Sequence, residues 1–462
     1  MKKTQFIGIV LAVLVLVGIN YIPVMDGLSA AGRNTIGLAV AFLIMLITES
    51  LSLSVICLIF LGLIYIFGVS PSFADALTGF SNPVVFFVLA SFGIAAGYTR
   101  IPLSKRILRA LMLKFGKNVK SMLFAIMICS AILSSLVSNV PTCAIFMSIG
   151  LSFLSLYKDT SAKKRTAKAF MIGIPVSSMI GGMMTPAGSS INMLALNLLE
   201  QSTGIVVSFV QWMSIGIPLT ILVLPIAWFL CVKVYKPAEI SREMVQDFIN
   251  ELDVPEMMGD KEKKVVIITF IMLALWILSS WVPSINVMVV AILGCCTMFM
   301  PGINVLNWKI FVKEDVSWDS FFLMGTVLSI GSAMVNNGVS DWLISLLPDQ
   351  LNVSPMILVA MSAIITFIGL IIVPVAPALV TILATPFIAM GTGWSPAALI
   401  LTLGFCAANC YLLPFDTVPL LTYGTGYYKV IDMPKSTIFI QIWLIMVLAL
   451  WIPFASRLFG II

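Results

Sequence analysis

The sequence predicts an all-α polytopic membrane protein built as an inverted-topology repeat, and three observations lead there. Of the 462 residues, 60% are hydrophobic and only 10% charged, where a soluble chain carries about a quarter charged. Apolar runs recur from Ile7 to Ile462 at a mean hydropathy of +1.11, with room for about ten or eleven helices of roughly 20 residues. Lys and Arg gather in loops between those runs, where the positive-inside rule puts the cytoplasm. The net charge of +6 is therefore a mark of topology, and the expected partner is the lipid bilayer and not nucleic acid. The absence of histidine argues against a His-ligated zinc or haem site and against proton relay through imidazole. The eight cysteines, Cys57, Cys129, Cys143, Cys231, Cys295, Cys296, Cys406 and Cys410, lie in apolar stretches without a CxxC pair, so they are expected as buried free thiols.

Taken in order, Lys2 and Lys3 stay inside. No small-residue cleavage site precedes Tyr21, so the run at about 5–22 reads as a first membrane helix and not a signal peptide. It leads out to Asp26 and Arg33. Helices at about 35–49 and 51–69 return and exit, turning at Glu49, and a fourth at about 82–98 comes in. It meets Arg100, Lys105, Arg106, Arg109, Lys114, Lys117 and Lys120 without one acid, the strongest cytoplasmic mark in the chain. Between Pro102 and Gly116, Ile107, Leu108, Leu111 and Leu113 fall among those charges, which predicts an amphipathic helix lying in the membrane interface.

The run from Ser121 to Tyr157 ends at Lys158, Lys163, Lys164, Arg165 and Lys168, so both of its ends are cytoplasmic. Each arm around Ser138-Asn139-Val140-Pro141-Thr142 has about 16 residues, or about 24 Å of helix against a core of about 30 Å. A re-entrant hairpin at about 121–157 fits better than two crossings, its polar tip buried in protein or lining a wet cavity. The run from Met356 to Met390 repeats the construction with the opposite sign, between Asp341 and Asp349 on one side and Gly391-Thr392-Gly393 on the other. This second hairpin, about 356–391, opens outside, with its tip at Pro374-Val375-Ala376-Pro377-Ala378. Helices at about 169–200 and 213–235, a charged linker at 236–264, helices at about 265–283 and 286–305, Lys309 and Lys313 inside, and a helix at about 319–337 lie between the hairpins. A helix at about 396–428 then leads in to Lys429 and Lys435, and one at about 436–456 leads out. The expected whole is an N-terminal helix within 1–34, repeat 1 at 35–235, a cytoplasmic linker at 236–264 and repeat 2 at 265–462. Each repeat has five helices and a hairpin, giving eleven transmembrane helices and two hairpins. The N-terminus is cytoplasmic and the C-terminus external, in a bacterial-type inner membrane.

Each hairpin is followed by a helix with a polar break: Thr185-Pro186-Ala187-Gly188-Ser189-Ser190 in the first half and Pro414-Phe415-Asp416-Thr417-Val418-Pro419 in the second. Pro186 matches Pro414 and Ser189 matches Thr417. Paired breaks of this kind mark an inverted-repeat transporter with its site at the repeat interface. Half-helix N-termini offer N–H donors to an anion, and unwound carbonyls and hydroxyls offer oxygens to a hard cation. Ser134, Ser138 and Asn139 across from Gly188 supply an oxygen set suited to Na⁺, while Ser189, Ser190 and Thr417 can donate to a carboxylate. Taken singly, such side chains also serve to tie one membrane helix to the next.

At these residues the chain resembles the divalent-anion/sodium symporter family of the ion-transporter superfamily, whose bacterial members carry di- and tricarboxylates. Its marks are a Ser-Asn-Thr motif at each hairpin tip and a Pro-Pro-Asn-like turn in each broken helix. The resemblance covers nearly the whole chain. It implies one Na⁺ at Ser134, Ser138, Asn139 and Gly188, a second cation in the other half, and substrate carboxylates held near both tips, by Asn139, Thr142, Ser189 and Ser190 on one side and Ala376, Pro377 and Thr417 on the other. It also implies a homodimer whose hairpins and broken helices move elevator-fashion. The first half keeps Ser138-Asn139, with Val140 for the Thr and Thr142 nearby, and Gly188, Ser189 and Asn192 fall at the turn. The second half departs, with Ala376-Pro377-Ala378 in place of Ser-Asn-Thr and Leu420 in place of Asn. Asp416 enters that same turn, beside Val375 of the tip, either as a second cation or proton site or as the N-cap of the following half-helix.

The function read from the sequence is secondary active transport of a small, dicarboxylate-like anion coupled to Na⁺, with Na⁺ or H⁺ at Asp416, and no enzymatic chemistry. An uncoupled or H⁺-coupled dicarboxylate exchanger, a sulfate-type oxyanion carrier and an anion channel remain as alternatives. Saturation and counter-transport separate any carrier from the channel.

Overall fold

The computed structural model describes residues 3–115, 118–252, 254–345, 353–391 and 393–461. Lys2, Lys117, Asp349 and Thr392, which enter the topology reading, lie outside them. Every regular element among the described residues is helical. The first half runs through α1 (Lys3–Gly18), α2 (Ala30–Ile47), α3 (Leu53–Ile66), α4 (Pro83–Thr99), α5 (Leu103–Phe115), α6 (Val119–Val137), α7 (Asn139–Leu154), α8 (Thr160–Gly181), α9 (Ser190–Thr203) and α10 (Phe209–Tyr235). After α11 (Arg242–Glu251) the second half follows with α12 (Asp260–Leu278), α13 (Val287–Thr297), α14 (Trp318–Asn336), α15 (Val339–Ser345), α16 (Pro355–Ile372), α17 (Ala376–Gly391), α18 (Pro396–Ala407), α19 (Thr417–Tyr423) and α20 (Pro434–Leu458).

Seven of these helices are long and apolar enough to cross a membrane alone, or eight when α4 and α5, bent by 60° at their junction, count as one span. Five shorter apolar helices, α3, α7, α13, α17 and α18, accompany them. Outward faces such as Phe6, Val10, Leu14 and Val17 on α1, or Ile357, Ile364, Ile368 and Ile371 on α16, are exposed and apolar, a surface that lipid covers.

Helix starts explain where the expected boundaries move. Ser29 accepts from the Gly32 N–H and begins α2 early. Asn118 and Ser121 form a reciprocal capping box, so α6 has 19 residues where about 16 were expected and is long enough to cross alone. Asp159 accepts from the N–H groups of Ser161 and Ala162, which hold its carboxyl below the usual range. Helix α8 therefore begins at Thr160, and Lys163, Lys164, Arg165 and Lys168 belong to its first turns and not to a loop. Helix α13 stops at Thr297 and not near 305, and the chain beyond it turns back through Gly302 and Asn304, both at positive φ, so that the Val305 and Leu306 N–H groups donate to the Met298 carbonyl. All eight cysteines are free, but Cys296 is exposed against expectation. It lies on the outward face that Val289, Leu293 and Met300 also expose.

The packing is pairwise across the two halves. Helix α3 packs on α14 as α4 packs on α13, and α2 meets α3 as α12 meets α13. The hairpin α6–α7 packs on α8 as α16–α17 packs on α18, while α7 reaches α19 and α17 reaches α9. Each hairpin's second arm thus leans on the half-helix that follows the break of the other half. A smaller core joins α1, α2 and α3 to one face of α14 through Leu38, Phe42, Phe60, Val327 and Ile330, and a larger one holds the rest.

Two charged clasps lie at loop ends. Arg106 of α5 grips Glu262 of α12 through Nε and Nη2 at 2.8 and 3.1 Å, with Glu262 buried. Asp432, before α20, accepts from Lys168 at 2.8 Å and Lys435 at 2.7 Å. Burial pushes its carboxyl up, but the two ammonium groups and the Lys429 N–H outweigh that and hold it well below the usual range. Asp432→Asn is expected to cost about 1–3 kcal/mol. A depressed carboxyl contributes its full stability above its unfolded value and loses it as pH falls through the folded one. The difference in Tm between parent and mutant, measured by thermal unfolding in detergent, is expected to stay constant between about pH 5 and 8 and to close only below about pH 4.

Candidate functional site

The first half-site forms where the hairpin α6–α7 meets the break between α8 and α9. Ser138 joins the arms at φ +105°, outside the conformations a non-glycine residue favours, and this lets α7 start at Asn139 without an intervening loop. The side chain of Asn139 is buried and its Oδ1 accepts from Ser134 Oγ at 2.6 Å. Across from it stands Gly182, where a Cβ would fall 2.3 Å from Asn139 Oδ1. Gly188 packs on Gly182 in turn, its would-be Cβ 2.6 Å from the Gly182 carbonyl. The expected trio of Ser134, Ser138 and Asn139 is therefore brought together, with Gly182 standing between Asn139 and Gly188. The sequence offered a signal for this in the Gly181-Gly182 pair ahead of the break, small residues that allow close approach. A Cβ at Gly181 would meet the Ala131 carbonyl at 2.2 Å.

Side chains hold the unwound backbone of this break in place. Asn192 Nδ2 donates to the carbonyls of Gly182 and Thr185 at 2.8 and 3.0 Å. Trp212 Nε1 donates to Met183 O at 2.9 Å, and Thr185 Oγ1 to Ser135 O at 2.6 Å. The buried Asn192 Oδ1 and Thr142 Oγ1 have no hydrogen-bond partner among the described residues. A buried polar atom without a partner is costly, so these two atoms are available to a ligand. The donor set of Ser134 Oγ, Asn139 Oδ1 and Asn192 Oδ1 is all oxygen, the chemistry a hard monovalent cation takes. Ser189 caps α9, its Oγ accepting from the Ile191 N–H at 3.3 Å, while Ser190 is half-buried in the first turn. The Ser189 hydroxyl keeps its proton for donation.

The second half-site is barer. The tip of α16–α17 at Val375, Ala376 and Pro377 carries no side-chain oxygen, and the Val375 carbonyl accepts from the Leu379 N–H. In the second break Asp416 caps α19, accepting from the Val418 N–H at 3.0 Å, and Thr417 is exposed. The capping reading of Asp416 is thus realised in the fold. By this capping role Asp416 is the counterpart of Ser189, one residue away from the Ser189–Thr417 match read from the sequence. Asn409 and Tyr411, which sequence reasoning passed over, are fully buried just ahead of this break, and Asn409 Oδ1 and Tyr411 Oη have no partner among the described residues. Their position beside the Pro414 turn was the only sign of them in the sequence. The two half-sites meet where Cys143 Sγ of α7 donates to Val418 O of α19 at 3.5 Å, one residue from Thr142.

Residues 3–460 match the family model described as "Sodium:sulfate symporter transmembrane region". Among similar proteins, the sodium-dependent dicarboxylate transporter SdcS of Staphylococcus saprophyticus is 25% identical, over 97% of this chain and 91% of its own length. The citrate/succinate antiporter of Escherichia coli is 24% identical, over 91% of each. In fold the chain is similar to two solved structures, each at a TM-score of 0.57. One is the YdaH transporter of Alcanivorax borkumensis, at 16% identity over 85% of this chain and 89% of that one. The other is MtrF of Neisseria gonorrhoeae, at 14% identity over 98% and 95%.

Proposed function

The chain belongs to the sodium:sulfate symporter transmembrane-region family, a multi-pass membrane transporter and not an enzyme, and on that premise we propose that it carries a small carboxylate anion coupled to Na⁺. The observation that carries this reading is the crossed packing of hairpins and half-helices, α7 on α19 and α17 on α9, which supports one site shared by the breaks of both halves. In the proposed mechanism Na⁺ is held by Ser134, Asn139, the backbone at Ser138 and Gly188, and the free Asn192 Oδ1. The anion is held by the amide of Asn139, the hydroxyls of Thr142, Ser189, Ser190 and Thr417, and the backbone at Ala376 and Pro377. The bound cation offsets the carboxylate charge, so the pair moves through a low-dielectric region at lower cost than either ion alone.

The same reading includes eleven crossings with two re-entrant hairpins, a homodimer, a cytoplasmic N-terminus and an elevator-type movement of the hairpins and broken helices, α6–α9 with α16–α19, against the remaining helices. The relatives named for sodium-dependent dicarboxylate transport and for citrate/succinate exchange support a carboxylate over sulfate. The bare second tip leaves Asp416 as the side chain available there to a second Na⁺ or a proton, and an uncoupled or H⁺-coupled exchanger stays as the second reading.

The deciding experiment measures thermal stabilisation and uptake for succinate, citrate and sulfate, in Na⁺ and in K⁺. A carboxylate is expected to raise Tm in Na⁺ and not in K⁺, by mass action. Stabilisation by sulfate alone would overturn the carboxylate reading, and equal stabilisation in both salts would remove Na⁺ coupling. The repeat is tested separately, with Cys296→Ser as background. Thr160→Cys and Gly393→Cys occupy exposed positions after the first and second hairpin, and a Cβ at Gly393 meets open space. They are expected to react with an impermeant thiol reagent from opposite sides, Thr160→Cys from the cytoplasm. Reaction of both from one side removes the inverted repeat.

A further inference from the structure

A cavity of about 780 Å³ opens between the start of α8, the end of α10 and the start of α20, away from both half-sites. Its polar lining includes Lys164, Arg165, Lys168, Lys236 and Lys435, with Asp159 and Asp432 as its only acids among the described residues. Both carboxylates are already engaged. Asp159 accepts the two N–H groups that start α8 and lies in the field of Arg165, while Asp432 is shared between Lys168 and Lys435. Lys164 and Lys236 make no ion pair among the described residues. Lys236 is moreover held at φ +50°, a helix-end position where glycine or asparagine is favoured, so a lysine stands there against the backbone's preference. Five cations from three separate segments converge on one concave surface, and the two acids leave an excess of three positive charges.

We propose that this cavity binds a phosphate group, with Lys164 and Lys236 as its principal contacts and Lys168 and Lys435 at its edge. The basic segments that converge here are those the charge pattern assigns to the cytoplasm, so two sources present this chemistry: the headgroup of an anionic inner-leaflet lipid, or a phosphorylated solute. A pocket of cations between membrane helices is the form that lipid phosphate recognition takes. Occupancy bridges α8, which leads into the first break, to α20, which follows the second, and α10, against which both pack. A bound phosphate therefore restrains the start of the first broken helix and the helix that follows the second at once.

The test uses the purified full chain and the double variant Lys164→Gln with Lys236→Asn. Asparagine tolerates the left-handed backbone at 236, and neither lysine holds an ion pair whose loss would unfold the protein. The readouts are Tm and the rate at which acetic anhydride modifies Lys164, neither of which depends on the transported anion. One arm compares vesicles of phosphatidylcholine with vesicles of phosphatidylcholine and phosphatidylglycerol. The other titrates the protein in neutral detergent with inorganic phosphate or ATP against chloride at equal ionic strength. At a free ligand concentration of about ten times Kd only about a tenth of sites stay open, so modification of Lys164 is expected to slow about tenfold as Tm rises. Protection by phosphatidylglycerol alone assigns the site to lipid, and protection by ATP or inorganic phosphate assigns it to a solute. In either case the double variant must lose the Tm response. A response retained in the double variant reflects bulk surface charge and overturns the proposal, as does no response in both arms.

Discussion

Asn139→Ala is expected to abolish Na⁺-dependent uptake while leaving expression near the parent level. The Asn139 side chain serves two ligands in the proposed mechanism, its Oδ1 facing the cation and its amide facing the anion. A hydrogen bond to a charged group is worth about 1.5–3 kcal/mol. Two of them amount to about 3–6 kcal/mol, a loss of roughly 10²- to 10⁴-fold in binding. The structural role is smaller. Within the fold the side chain accepts one bond, from Ser134 Oγ, worth about 1 kcal/mol. The cavity is also bounded, since the space that a Cβ at Gly182 would take is the space Asn139 Oδ1 occupies. Transport and stability are thus expected to separate, and initial uptake rates against Na⁺ read beside Tm will show it. An Asn139→Ala protein that transports with the parent's Na⁺ dependence removes Asn139 from the site.

How far the sequence could be read depended on which force set each feature. Helix type and order followed from apolar runs, because the bilayer requires every backbone group to be satisfied within a helix, and the runs beginning near 5, 82 and 436 sit within a few residues of α1, α4 and α20. Starts fixed by a side-chain cap were harder. Asp159 pulls α8 back to Thr160 through two backbone hydrogen bonds that hydropathy does not register, and Asn118 lengthens α6 in the same way. In the site, Ser134 and Asn139 were legible because they lie five residues apart around a helix break, and polar residues beside a break stand out in apolar surroundings. Gly182 was legible only as a small residue that allows close approach, since what approaches it, Asn139, comes from another helix. Asn409 and Tyr411 were not legible, because burial without a partner leaves no mark in the sequence. The exposed Cys296 was missed for a related reason, that burial in protein and burial in lipid leave the same apolar pattern in a sequence.

Asp416→Asn and Asp416→Ala together separate the two roles available to the carboxylate in the second break. As a cap, Asp416 accepts from the Val418 N–H at 3.0 Å and begins the seven-residue α19. Asparagine caps a helix about as well as aspartate, and alanine costs about 1 kcal/mol. If capping were the whole role, Asp416→Asn would behave as the parent and Asp416→Ala would be less stable with unchanged coupling. The surroundings point to more than a cap. The tip of the same half's hairpin, Val375 to Pro377, has no side-chain oxygen, and a charge in a low-dielectric region needs a counter-ion or a proton. Asp416→Asn is therefore expected to express and unfold like the parent yet lose a dependence of transport that the parent shows. Loss of a pH dependence at fixed Na⁺ assigns the site to a proton. A shallower Na⁺ dependence at fixed pH, with a Hill coefficient reduced toward one, assigns it to a second Na⁺. Parent-like Na⁺ and pH profiles in Asp416→Asn, with a lowered Tm confined to Asp416→Ala, leave Asp416 as the start of α19 and the first half-site as the sole seat of coupling.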